Sequence, residues 1–137
     1  MGFIEILPFI LSSKKETFNN FNLKEENYVP LGFSAESSIN IIGTWIIPRL
    51  FKVLINSQHK SFPQKIFSCD YVVVRNDLKE TFSENRLHLA ALISNSKVSF
   101  TEIVSHLLSL TNVFGKKLSL KQKDFPFYIS GRSATVI

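Results

Sequence analysis

The chain has 137 residues, enough for one domain that buries roughly two-thirds of its unfolded surface, and 45% hydrophobic with 20% charged residues argue against disorder or low complexity. Sixteen Lys+Arg against eleven Asp+Glu give a net charge of +5, a balance compatible with nucleic acid or an acidic partner. One cysteine excludes an internal disulfide and no apolar run reaches the ~20 residues that span a bilayer, so the expectation is a soluble, cytoplasmic domain with no membrane partner. The apolar start, "MGFIEILPFIL", carries Glu5 and lacks both a basic leader and a small-residue cleavage site, which argues against a signal peptide.

In chain order, residues 3–11 are β-rich and predict one strand, with Pro8 at a bulge or an edge. Ser13-Lys14-Lys15-Glu16 is a capping box, in which the serine accepts a free backbone N–H and the glutamate reaches back, so a short helix should run to about Phe21. Residues 28–31 read as a brief strand before a turn at Gly32, while 38–45 fits either extended chain or a helix start. From Ile46, apolar residues at 47, 50, 51 and 54 follow helical spacing, with Pro48 in the first turn, and Arg49 and Lys52 are assigned to the other faces. Pro63 breaks the chain ahead of a strand or hairpin at 64–74. Residues 86–94 read as a central strand buried on both faces. Ser99–Glu102 is a second capping box, opening a helix with an apolar stripe (Phe100, Ile103, Val104, Leu107, Leu108 and Thr111) that Gly115 stops. Residues 117–123 alternate as an amphipathic strand, a loop follows at "DFPF", and 131–137 is the final strand. This irregular interleaving predicts an α+β fold with a mainly antiparallel sheet flanked by helices, in a single domain over 1–137.

The busiest stretch for chemistry is "KIFSCDYVVVRND", residues 65–77. A nucleophilic Cys69 needs a histidine partner in an electropositive, partly open setting, and His59, His88 and His106 fall in no recognisable signature. Period-two counting puts Cys69 with Lys65, Phe67, Tyr71 and Val73, and Asp70 on the opposite face with Ser68 and Val72. The favoured reading is an inert, packed cysteine and a solvated or hydrogen-bonded aspartate. His88 and His106 are read as core or boundary histidines, and no histidine, cysteine or carboxylate spacing suggests a metal site. Glu25–Glu26 and Glu80–Glu84 lie on polar, loop-like stretches and read as solvated surface. No glycine-rich phosphate loop occurs. Two basic clusters remain, Arg49, Lys52, Lys60 and Lys65, and Lys116, Lys117, Lys121 and Lys123, for which solvated faces are favoured over an RNA site.

Four segments taken in order, 2–23 ("GFIEILPFILSSKKETFNNFNL"), 46–67 ("IIPRLFKVLINSQHKSFPQKIF"), 86–103 ("RLHLAALISNSKVSFTEI") and 127–137 ("FYISGRSATVI"), give the chain a resemblance to the archaeal and eukaryotic β subunit of phenylalanyl–tRNA synthetase. The resemblance implies the catalytic-like module of that subunit, a class II synthetase-like antiparallel fold, incomplete at both ends, without catalytic residues. Stretch 64–74 then corresponds to a scaffold strand: Phe67 and Val72 match the family pattern, and Ser68, Asp70 and Tyr71 replace its Glu, Gly and Asp. The family's Asn-Pro is replaced around Gly32–Phe33, and its Leu-Arg-Thr becomes Ile42-Gly43-Thr44. The implied partners are a catalytic α subunit, and tRNA through the full complex, with self-association of the isolated chain. No catalytic, cofactor-binding or metal-binding residue is assigned here, and ATP and magnesium are implied only for the whole complex. A fragment, a split-gene product and a decayed paralogue are all open origins. The alternative function is a free-standing RNA- or protein-binding module.

Overall fold

The computed structural model describes residues 2–137, which gather into two compact units, Gly2–Ser94 and Asn95–Ile137. Their secondary structure is α+β, with three helices and small, largely antiparallel sheets.

In the larger unit, the 3–11 segment does not make one strand. Ile4–Glu5 (β1) pairs in parallel with Gln64–Arg75 (β5), whereas Leu11–Ser12 (β2) pairs antiparallel with Ile41–Ile42 (β4) of another sheet. Pro8, which has no N–H to give a ladder, lies between them where the chain changes sheets. Lys14–Thr17 (α1) starts at the predicted serine cap, with the Glu16 N–H donating to Ser13 Oγ at 3.1 Å, but the Glu16 carboxylate accepts from Lys52 and Ser12 instead of reaching back, and a 3₁₀ turn at Asn19–Phe21 follows. Val29–Pro30 (β3) completes the order β2-β4-β3. Ile47–Asn56 (α2) carries Pro48 in its first turn.

The second sheet has the order β1-β5-β6, in which β5 and Ser83–Ser94 (β6) form a regular antiparallel hairpin from Gln64↔Ser94 to Arg75↔Ser83. The expected central position of 86–94 is therefore corrected: β5 is central, β6 borders the sheet, and Leu87, His88 and Leu89 are exposed. An apolar run marks burial only when both faces find cover, and here one face does not. The core is compact: Ile46 and Leu50 of the α2 turn pack on Ile66 and Val72 of β5, flanked by Ile6, Val53, Leu54, Ala90 and Leu92. Arg49, expected on an outer helix face, is buried in the same region.

The hairpin tip is held by Asn76, whose side chain accepts from the Leu78 N–H and donates to Glu84 at 2.9 Å. That bond, with Arg86 second, holds the Glu84 carboxyl below its ordinary value. A carboxylate with a depressed folded pKa contributes stability that is present above its unfolded pKa and lost as pH falls through the folded one. Acidification should thus loosen the tip. Asn76→Ala should raise the Glu84 midpoint in a carboxyl NMR titration, and an unchanged midpoint would refute this cause.

In the smaller unit, Ser99 caps Phe100–Val113 (α3) through the Glu102 N–H at 3.1 Å, and Gly115, at φ +63°, follows the helix end. Of the expected stripe, Ile103, Val104, Leu107 and Thr111 are half-buried, but Phe100 and Leu108 are exposed. Leu120–Gln122 (β7) and Ala134–Val136 (β8) pair antiparallel, each shorter than its predicted strand.

Candidate functional site

Strand β5 alternates as its sequence demands, but with its faces opposite to the expected sense. Ile66, Ser68 and Val72 are buried, while Cys69 and Tyr71 are exposed. Cys69 is thus an open side chain rather than a packed one. The physical reason lies 21 residues upstream. Arg49 projects from the buried side of α2, donating to Asp70 Oδ2 at 3.3 Å and to the Tyr71 carbonyl at 3.5 Å. With this counter-charge inside, Asp70 turns inward and its sequence neighbours turn out. Asp70 also accepts the Tyr71 N–H on Oδ1 at 2.7 Å, so the hydrogen-bonded reading of this aspartate holds.

Arg49 is only 5% exposed, and burial pulls its pKa down while Asp70 acts to restore it. The guanidinium stays charged under ordinary conditions. Gly43 makes room for it: a Cβ there would sit 3.5 Å from Arg49 Nε and 2.9 Å from the Ile10 carbonyl oxygen. The Gly43 backbone also bonds on both sides, its N–H to Ile10 and its carbonyl from the Val73 N–H. The glycine in Ile42-Gly43-Thr44 is therefore a close-packing position beside a buried cation, a role that composition and periodicity did not reveal.

Asp70 lies across from His88 in register and Cys69 across from Leu89, so His88 and Cys69 point to opposite faces of the hairpin. His88 and His59 are exposed, which corrects the core reading of His88; His106 is half-buried on α3. Among the described residues no three His, Cys, Asp or Glu gather into a metal-holding group. A shallow groove of 330 Å³ beside α2 is floored by Phe21, Pro48, Phe51 and Ile55. At its rim Lys52 is bound to Glu16 at 2.9 Å, so that cation is engaged within the fold. The first predicted basic cluster thus dissolves, with Arg49 buried, Lys52 paired and Lys65 lying 6.0 Å from the Phe3 ring. The second, at Lys116–Lys123, stays exposed.

What the hairpin does present is an apolar outer face. Tyr71 (54% exposed) stands opposite Leu87 (61%), and Cys69 opposite Leu89 (52%). Contiguous exposed apolar side chains of this kind mark association surfaces. Ile4, Leu7 and Phe9 are exposed too.

A family described as the phenylalanyl tRNA synthetase beta chain CLM domain matches residues 1–137, both units included. The chain belongs to this family. Similar proteins include the phenylalanine–tRNA ligase β subunits of Archaeoglobus fulgidus (29% identical over 140 residues), Methanopyrus kandleri (30% over 141) and Pyrococcus abyssi (27% over 136). These alignments cover 99–100% of the chain and 24% of each relative, so the chain spans about a quarter of the length of the curated relatives it matches. The resemblance read from the four sequence segments is thereby shown. In this member of the phenylalanyl tRNA synthetase β-chain family, the Cys69–Asp70 stretch is a sheet strand with one partly buried ion pair and one open apolar face.

Proposed function

We propose that the chain is a non-catalytic, catalytic-like module of a phenylalanine–tRNA ligase β subunit, with a class II synthetase-like sheet, acting in the cytoplasm. Its part is to dock on the catalytic α subunit and support that subunit's ATP-dependent charging of tRNA(Phe). ATP and magnesium then belong to the partner's site, and the two compact units act as one module. The observation that carries this reading is the apolar outer face of the β5–β6 hairpin, in a chain matched along its whole length by the β-chain family. Among the described residues no helix is long and apolar enough to cross a membrane.

Co-expression with the catalytic α subunit of the same organism tests the reading. Co-elution on size-exclusion chromatography is expected, and separate elution of a folded chain overturns it. The double variant Leu87→Asp, Leu89→Asp should keep its circular dichroism spectrum yet lose the complex. Burying each leucine is worth about 1.5–3 kcal/mol, so the affinity should fall at least ~100-fold. Alone, the chain should self-associate as its concentration rises in light scattering, and Leu87→Ser, Leu89→Ser should shift it towards monomer.

A further inference from the structure

The chain's positive charge is segregated. Residues 2–94 carry ten Lys+Arg and nine Asp+Glu, whereas residues 95–137 carry six Lys+Arg and two Asp+Glu, so +4 of the net +5 lies in the last 43 residues. The two halves also use their cations differently. In the larger unit Lys14, Arg49, Lys52, Arg75 and Arg86 are all ion-paired within the fold. In the smaller unit, among the described residues, Lys116, Lys117, Lys121, Lys123 and Arg132 are exposed and make no ion pair.

The nearest acid in sequence is turned to another task. Asp124 accepts from the Gly131 N–H at 2.9 Å and the Ser130 hydroxyl at 3.3 Å, closing the loop between β7 and β8 on itself. Ser133 Oγ donates to the Lys123 carbonyl at 2.6 Å at the base of the loop. Inside the loop three aromatic rings cluster, Phe127 to Tyr128 at 4.5 Å, Phe125 to Phe127 at 5.8 Å and Phe125 to Tyr128 at 5.9 Å. The Lys123 ammonium sits 5.2 Å from the Phe125 ring centre, which joins the cations to the rings. Tyr128 is half exposed.

From this juxtaposition we infer that the β7–β8 hairpin and its loop 124–130 form a contact site for single-stranded RNA. Lys121 and Lys123, which share one parity, meet backbone phosphates with help from Lys116, Lys117 and Arg132, and an unstacked base lies on Tyr128. Unpaired cations beside an open aromatic ring are the two components such binding uses. Phosphate contacts release counterions, and stacking adds affinity with little dependence on base identity. Burial also holds the Tyr128 phenol above its ordinary pKa, so it stays neutral and does not repel a phosphate. An anionic membrane surface would use the same lysines but would have no need of a stacking ring. The site lies in the 95–137 unit and does not depend on the α-subunit reading.

The test is fluorescence anisotropy of the full chain with a labelled single-stranded RNA of about 12 nucleotides. With four or five phosphates contacted, log K should fall against log salt with a slope near −3. Lys121→Gln, Lys123→Gln should lower the slope magnitude by about 1.4 and weaken binding roughly 10- to 30-fold near ~0.1 M salt. Tyr128→Ala should weaken it at least ~5-fold with an unchanged slope, and Tyr128→Phe should bind as the native chain does. The control Lys60→Gln, Lys79→Gln removes two exposed lysines of the other unit and should change little. Equal losses from the control pair, an unaffected Tyr128→Ala, or absent binding near ~0.05 M salt would each overturn the proposal. So would preferential binding to phosphatidylserine vesicles that the RNA fails to compete away.

Discussion

Leu50→Ala is expected to be the most damaging single truncation in the core. Leu50 is fully buried on α2 between Ile46 and the β5 side chains Ile66 and Val72. Removing a buried leucine side chain costs about 2–5 kcal/mol, through lost transfer energy and the cavity left behind. Relaxation could refill a cavity in a large core. Here only seven apolar side chains, Pro48 included, are buried among the described residues, and the cluster around Leu50 has few neighbours free to move in. The upper part of that range is therefore expected. Against a total stability of about 5–15 kcal/mol, a loss near ~4 kcal/mol takes much of the margin. For a unit of this size each kcal/mol shifts Tm by roughly 4–8 °C, so thermal unfolding should move down by some ~16–30 °C. The matched change Phe51→Ala, at a half-open position in the groove, should cost well under half as much in urea titrations. Equal costs would show that the core lies elsewhere.

What could be read from the sequence was local. Ser13 and Ser99 declared their helices because a cap needs only residues three apart, and both serines accept the expected N–H, although the Glu16 carboxylate is taken by Lys52 and Ser12. The extended stretch at 64–74, α2 with Pro48 in its first turn, and the stop at Gly115 are equally local signals. The family resemblance was legible for a different reason: it is carried by the order of whole segments, and it survives substitution at single positions.

Facing and edges were not legible. Both parities of 65–74 mix polar and apolar residues, so period-two counting sorts the side chains without saying which set goes in. Arg49 decides it, through a contact across 21 positions. The 3–11 run gave no sign that its two ends pair in different sheets, beyond a proline that permits the break. Residues 86–94 looked central because apolar runs usually are, whereas their outer face is uncovered in this chain. The aromatic cluster at Phe125, Phe127 and Tyr128 was visible as letters, but its link to Lys123 needed the closed loop that Asp124 makes.

The Arg49–Asp70 pair gives the second large effect, and it should be asymmetric. Asp70→Ala leaves a guanidinium with 4% side-chain exposure facing Gly43 and β5 without its counter-charge. Stripping one partner from a fully buried pair costs about 3–5 kcal/mol. Asp70 itself keeps 31% side-chain exposure, so water can partly replace it and about 2–3 kcal/mol is the discounted expectation. Arg49→Met removes the charge but keeps a long, flexible stem against Gly43, and a less buried Asp70 can turn to solvent. Its cost should stay below about 1.5 kcal/mol. Arg49 Nε, which has no hydrogen-bond partner, is one reason the native pair is not worth its full Coulomb energy. The decisive variant is the double one. If the cost of Asp70→Ala is the stranded cation, then adding Arg49→Met should restore stability, and the double variant should have a higher urea midpoint than Asp70→Ala alone. Were the two losses simply to add, Asp70 would be acting through its bond to the Tyr71 N–H, and the ion pair would not be what sets the faces of β5.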